Sequence, residues 1–195
     1  MDEVITSYLL AMDELNVLTA TSYYLADGED LQAKIAQIVD DVLSLLIRAY
    51  RLGVEHASIM IAYELTVKTD KMQAAIYQVI DGKDFTDRVA DHVQAGGLAG
   101  LQALVESEFH RVYNTAVADG VQEFVDEGNF GVEKVWHTMG DEKVRDTHVY
   151  LEGKSVAVED EFYTYDGDHA PYPGRFTKVE NNANCRCILT YRRAV

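Results

Sequence analysis

Cysteine, proline and tryptophan are nearly missing from this chain of 195 residues, which holds two, two and one of them. With only Cys185 and Cys187, separated by a single residue, no disulfide framework can form, and the pair is poorly placed for an unstrained bridge to each other. They read as reduced thiols of a protein made in the cytoplasm. Basic residues are short as well: 17 Lys and Arg stand against 33 Asp and Glu, for a formal charge of −16. That charge repels phosphate backbones and argues against direct nucleic-acid binding, which draws on counterion release. The Arg192-Arg193 pair reads as a solvated strand end rather than a phosphate site. Long apolar runs are missing too. The stretch from Val42 to Ile47 is broken by Arg48 and Arg51 before the roughly 20 residues that span a bilayer, and Met1-Asp2-Glu3-Val4 lacks the basic opening of a secretory signal. No membrane partner is expected.

What is present suffices for a core: 48% of the residues are hydrophobic and 26% charged, the balance of an ordinary globular chain. Leu31, Ile35, Ile38, Val42, Leu45, Leu46 and Ala49 recur at three- and four-residue intervals, which predicts an amphipathic helix ending near Gly53. Val4 to Leu18 and His56 to Val67 predict two more. Asp70 is the expected N-cap of a segment carrying Met72, Ile76, Val79 and Ile80 that stops at Gly82. Phe85, Val89 and Val93 predict a short helix before Gly96-Gly97, a candidate hinge. Beyond it, Leu101, Leu104, Val105, Glu108, Val112, Ala116 and Val117 form a second long helical pattern ending by Gly128.

The character of the chain then changes. Val132 to Thr138 reads as a strand, Glu142 to Leu151 as a short helix, and the remainder as strands and turns marked by Gly153, Gly167, Pro171, Pro173 and Gly174. The expected fold is α+β: an acidic helical module over 1–97, then 98–195 with a long helix and a small mixed subdomain of antiparallel strands.

The residues that could carry chemistry gather in this second part. If Cys185 to Tyr191 is a strand, its pleat puts both thiols on one face and Arg186 on the other. Such a pair is a structural clamp, a metal half-site or a core edge. Arg145 and His148 share one helix face, flanked by Asp141 and Asp146, a set suited either to acid–base work or to a buried knot. Spacing favours the knot. Cys185 and Cys187 with His148, His169 or Asp168 would make a tetrahedral zinc shell, whereas two thiols alone serve more simply as small core hydrophobes; no cofactor is expected on balance. Tyr163, Tyr165, Tyr172 and Phe176 alternate with acidic residues, which points to a protein-facing loop rather than base stacking. Trp136 reads as a core anchor, and His56, His92, His110 and His137 as surface or helix residues.

In their order, Glu108, Arg111, Asn114 and Ala116, then Trp136 and Thr138, then Asp141, Arg145 and His148, then Leu151, Gly153, Phe162 and the terminal Asn184-Cys185-Arg186-Cys187 resemble the bacteriophage Mu F-like minor head protein family of head morphogenesis. The resemblance covers residues 101 to 191. It implies a non-enzymatic component of the virion head, present in the host cytoplasm during assembly, whose partners are the portal, the inner capsid or the scaffold. Other members carry further cysteines around the Arg-x-x-His segment or a toxin-like enzymatic domain after the module; this chain has Asp146, Thr147 and Tyr150 there and stops at Val195, so no appended catalytic domain is expected. Within this frame Arg145, His148, Asn184, Cys185, Arg186 and Cys187 form a structural clasp, with Asn184 satisfying backbone groups in the turn. The rival reading is a small nuclease or transferase with an Arg/His/Asp acid–base set in an open cleft.

Overall fold

A computed structural model describes residues 2–129 and 131–193. Five helices come first: α1 (Asp2–Leu25), α2 (Leu31–Ile61), α3 (Thr69–Ile76), α4 (Phe85–Gln94) and α5 (Leu98–Asp126). A small α+β region follows, with β1 (Val132–His137), α6 (Asp146–Val149), β2 (Ser155–Ala157), β3 (Phe162–Tyr163), β4 (His169–Ala170), α7 (Val179–Asn182) and β5 (Ile188–Arg193). The antiparallel sheet runs β2-β1-β5, and β3 pairs with β4 in a separate antiparallel ribbon. The expected α+β class, with long helices before a small strand region, is the class observed.

The long pattern from Leu31 does begin a helix, capped by Asp30, whose carboxylate accepts from the backbone N–H groups of Gln32 and Ala33. It does not end at Gly53. The helix runs through it to Ile61 and takes in the first part of the separately expected helix from His56; Ala62 closes it in the left-handed conformation at φ 50°. The reason lies in packing rather than in the local chain. A Cβ built at Gly53 would sit 2.6 Å from the carbonyl oxygen of Tyr113 and 2.7 Å from Cβ of Ala116, so glycine here admits a close approach of α5.

Other boundaries shift for similar local reasons. Asp70 is in the first turn of α3 rather than at its cap, where Lys68 stands without a side-chain bond. The segment ends at Ile76, short of Gly82, because Ile80 and Lys83 exchange backbone hydrogen bonds around a turn at Asp81 and Gly82. The helix expected over Glu142 to Leu151 is reduced to the single turn α6.

The core is continuous from the helices into the sheet. Ile38, Leu46, Ala49 and Ala57 of α2 and Val105, Val112, Ala116 and Val121 of α5 are buried with Ile188 and Leu189 of β5 and Trp136 of β1. In β1 burial alternates, with Val132, Lys134 and Trp136 inward. Lys134 is an unusual inward residue: burial lowers its ammonium to about 8, and its Nζ donates to the Pro171 carbonyl at 2.8 Å. Arg192 pairs with Glu133 at the open end of the sheet, in line with a solvated strand end.

Gly53→Ala tests the helix contact, because propensity and packing oppose each other there. Alanine gains about 1 kcal/mol of helix propensity, but its methyl meets backbone that cannot move independently, and overpacking costs about 1–3 kcal/mol. Urea unfolding of the variant should show a net loss of stability. A variant as stable as the parent, or more so, would contradict the close-approach account.

Candidate functional site: a buried thiol–imidazole clasp

The single turn α6 exists because its flanks are held from outside. Thr147 Oγ1 donates to Asn181 Oδ1 at 3.0 Å, while the Arg145 guanidinium donates to the carbonyls of Asn181 (3.3 Å) and Ala183 (2.5 Å). Asn181 is in turn positioned by Asp168, whose Oδ2 accepts from Asn181 Nδ2 at 2.6 Å. The same carboxylate accepts from the backbone N–H groups of His169, Thr177 and Lys178 and from the Thr177 hydroxyl. Burial alone would raise the Asp168 carboxyl, but these donors outweigh it and bring it down to about 2. One buried acid thus sets the path of the chain from β4 to α7.

Held this way, α6 turns His148 inward, where it is 1% exposed. Phe176 stacks on its ring at 5.0 Å between centroids and Trp136 meets it edge-on at 5.8 Å. Phe176 is fixed by Asn182, whose side chain accepts from the Phe176 N–H at 2.8 Å and donates to its carbonyl at 2.7 Å. The imidazole Nδ1 lies 3.3 Å from the Cys187 sulfur and 3.7 Å from that of Cys185. Both cysteines are free and buried.

The strand carrying the cysteines starts later than expected. β5 begins at Ile188, because β1 ends at His137, the partner of Ile188, and the chain then turns away through Gly140 at φ 66°. Residues 185–187 therefore precede the ladder. Their burial still alternates, with both thiols inside and Arg186 half-buried, and the two sulfurs share one side as the pattern implied. Arg186 makes a two-pronged ion pair with Asp141. Asn184 contributes its backbone, in the left-handed region at φ 52°, while its side chain is exposed and makes no hydrogen bond among the described residues. The capping expected of Asn184 falls to Asn182. His169, expected as a metal ligand, is elsewhere: its ring bonds Glu161 and stacks on Tyr163. Asp168 is also outside the group.

Two histidines read as surface or helix residues prove to be buried helix residues. His56 bonds Ser7 and Tyr113, and burial lowers it to about 4. His110 bonds the Tyr8 hydroxyl at 2.7 Å and the side chain of Asn114, which ties α1 to α5. The thiol pair titrates as a unit: a Cys185 thiolate is favoured first by the bond from Cys187 and also by His110 and His148, and that same bond, with burial, holds the Cys187 proton on. Glu108 and Arg111 are a buried ion pair joined by Arg88. Burial raises the Glu108 carboxyl and the two guanidinium groups more than reverse this. Arg88 had no marker in the sequence beyond its position on a helix.

Arg145, Asp141 and His148 are thus each committed to a different partner within the protein. A helical base carries a small sheet, and an Arg-x-x-His turn is set against the terminal segment that holds both cysteines. The phage Mu protein F like family matches residues 66–190, and the chain belongs to that family. It is similar to the NAD(+)-arginine ADP-ribosyltransferase EFV of Enterococcus faecalis, 24% identical over 168 residues that make up 85% of this chain and 34% of that protein. It is also similar to the Minor head protein GP7 of Bacillus phage SPP1, 27% identical over 94 residues, 48% of this chain and 30% of that protein. The chain spans about a third of the length of these relatives. No solved structure matches it.

Two outcomes test this site. Replacing His148 or Cys185 by alanine should lower stability by about 1–3 kcal/mol through stranded partners, read as a fall in melting temperature; unchanged melting in both variants would refute the clasp. Asp168 should appear in the pH dependence. Its folded value is about 2 against roughly 3.9 unfolded, so its contribution is complete above about pH 4 and is lost as pH falls toward 2. Urea unfolding at stepped pH should show Asp168→Asn less stable at pH 7 and flatter through that window. An unchanged acid slope would count against the Asp168 hub.

Proposed function

We propose that this chain is a minor structural protein of a phage head that acts in capsid assembly by binding the portal or the inner capsid and scaffold. On this reading it is made in the host cytoplasm and incorporated into the head. The observation that carries it is family membership over most of the chain, supported by the likeness to a protein named as a minor head protein. The geometry is consistent with a non-enzymatic role, since Arg145 serves two carbonyls, Asp141 serves Arg186 and His148 is enclosed. A formal charge of −16 favours basic protein surfaces over packaged DNA. Helix α1 also leaves Leu10, Val17, Tyr24 and Leu25 in solvent, apolar area of the kind that a protein partner covers. None of the described helices is long and apolar enough to cross a membrane.

The likeness to an ADP-ribosyltransferase supports a second reading, a small transferase. That match covers 34% of the relative, and here the acid–base candidates do not converge on an open cleft.

Mass spectrometry of washed virions carrying this gene, with co-purification of the portal protein on the tagged chain, separates the two readings. The head-protein reading expects the polypeptide in virions and the portal retained on it. Virions lacking the polypeptide would contradict it, and arginine-directed transfer from NAD by the purified chain would establish the rival.

A further inference from the structure

We propose that His148, Cys185 and Cys187 bind one zinc(II) ion inside the clasp. The three ligand atoms all lie within 4.8 Å of one another, and no other group of His, Cys, Asp and Glu among the described residues meets that condition. Tetrahedral zinc, with bonds of about 2.05 Å to nitrogen and about 2.3 Å to sulfur, requires N···S edges of roughly 3.6 Å. The observed separations of 3.3 and 3.7 Å bracket that value. Two soft thiolates with one imidazole select zinc over the hard cations magnesium and calcium, which take oxygen donors.

A metal also serves the three facing atoms better than hydrogen bonds among them, while the buried Nε2 of His148 has no partner among the described residues. The imidazole Nδ1 offers one lone pair to two sulfurs, so at most one thiol can donate to it well. A single ion satisfies all three atoms at once. His148, Cys185 and Cys187 line a cavity of about 10 Å³ together with Met139, Val144 and Arg145, the size of one water or ion. Outside Cys185 a groove of about 490 Å³, bordered by Glu106, Lys143 and Arg145, supplies a route in. The fourth corner of the tetrahedron falls to a solvent water.

Charge balance is favourable. Binding releases one proton from each thiol, and the dication with two thiolates and a neutral imidazole is uncharged overall, so the buried site carries no net charge. The guanidinium of Arg186 is neutralised by Asp141 and that of Arg145 is committed to carbonyls.

The test uses the full-length chain without a histidine tag, purified under reducing conditions free of chelator, with zinc measured by elemental analysis and the metal exchanged for cobalt(II). The expected result is about one zinc per chain and, after exchange, the sulfur-to-cobalt charge-transfer band with the intense visible bands of a tetrahedral centre. His148→Cys should retain the metal and strengthen the sulfur band, and the Cys185→Ala, Cys187→Ala double variant should lose it. Because the double variant can fail to fold, the parent decides: a folded, fully reduced chain that takes up neither metal overturns the proposal. So does cobalt bound without a sulfur band, or a folded double variant with undiminished zinc. Metal content is independent of incorporation into virions, so this proposal and the assembly role can fail separately.

Discussion

Two buried sulfur atoms and one imidazole nitrogen meet within bonding range, and the course of the last part of the chain follows from that meeting. All three are buried, the imidazole against Trp136 and Phe176, where an unmatched partner is costly. The arrangement can persist only if α6 and residues 185–187 keep their places together. The sheet alone does not ensure this, because the cysteines stand outside the β1–β5 ladder. The work is done instead by a relay: Asp168 fixes Asn181, Asn181 and Ala183 receive Thr147 and Arg145, and those residues hold His148 in position.

The sheet region is also fastened to the helices. His110 on α5 meets Tyr8 on α1. On the far side, β5 lies against α2 and α5, whose own approach depends on the absence of a side chain at Gly53. The exterior is left unconstrained by this network, so acidic helix faces and the exposed rings of Tyr163 and Tyr165 are available for recognition of other proteins.

How much of this was legible depended on whether the cause was local. The Leu31 to Ala49 repeat, the Phe85 to Val93 helix and the Val132 strand follow from periodicity; the last two end within a residue of expectation, while the first runs on past Gly53 to Ile61. The convergence of His148 with both cysteines agrees with alternation at positions 185 to 187. Tertiary causes were hidden. Gly53 looks like a stop signal and is in fact a contact surface, and Asn182 rather than Asn184 makes the side-chain bonds. His110 meets the Tyr8 hydroxyl, 102 positions earlier, and nothing nearby in sequence announces that pairing. Asp168 resembled a ligand because its donors are mostly backbone N–H groups, which a sequence does not display.

Native-state hydrogen exchange addresses the central claim most directly, since it reports the opening free energy of each amide. If the thiol–imidazole meeting pins the region from inside, the amides of His148, Val149 and Cys185, outside the ladder, should exchange as one cooperative unit with those of β1 and β5. Exchange of Cys185 and α6 at the rate of the exposed turns, while β1 and β5 stay protected, would contradict the account.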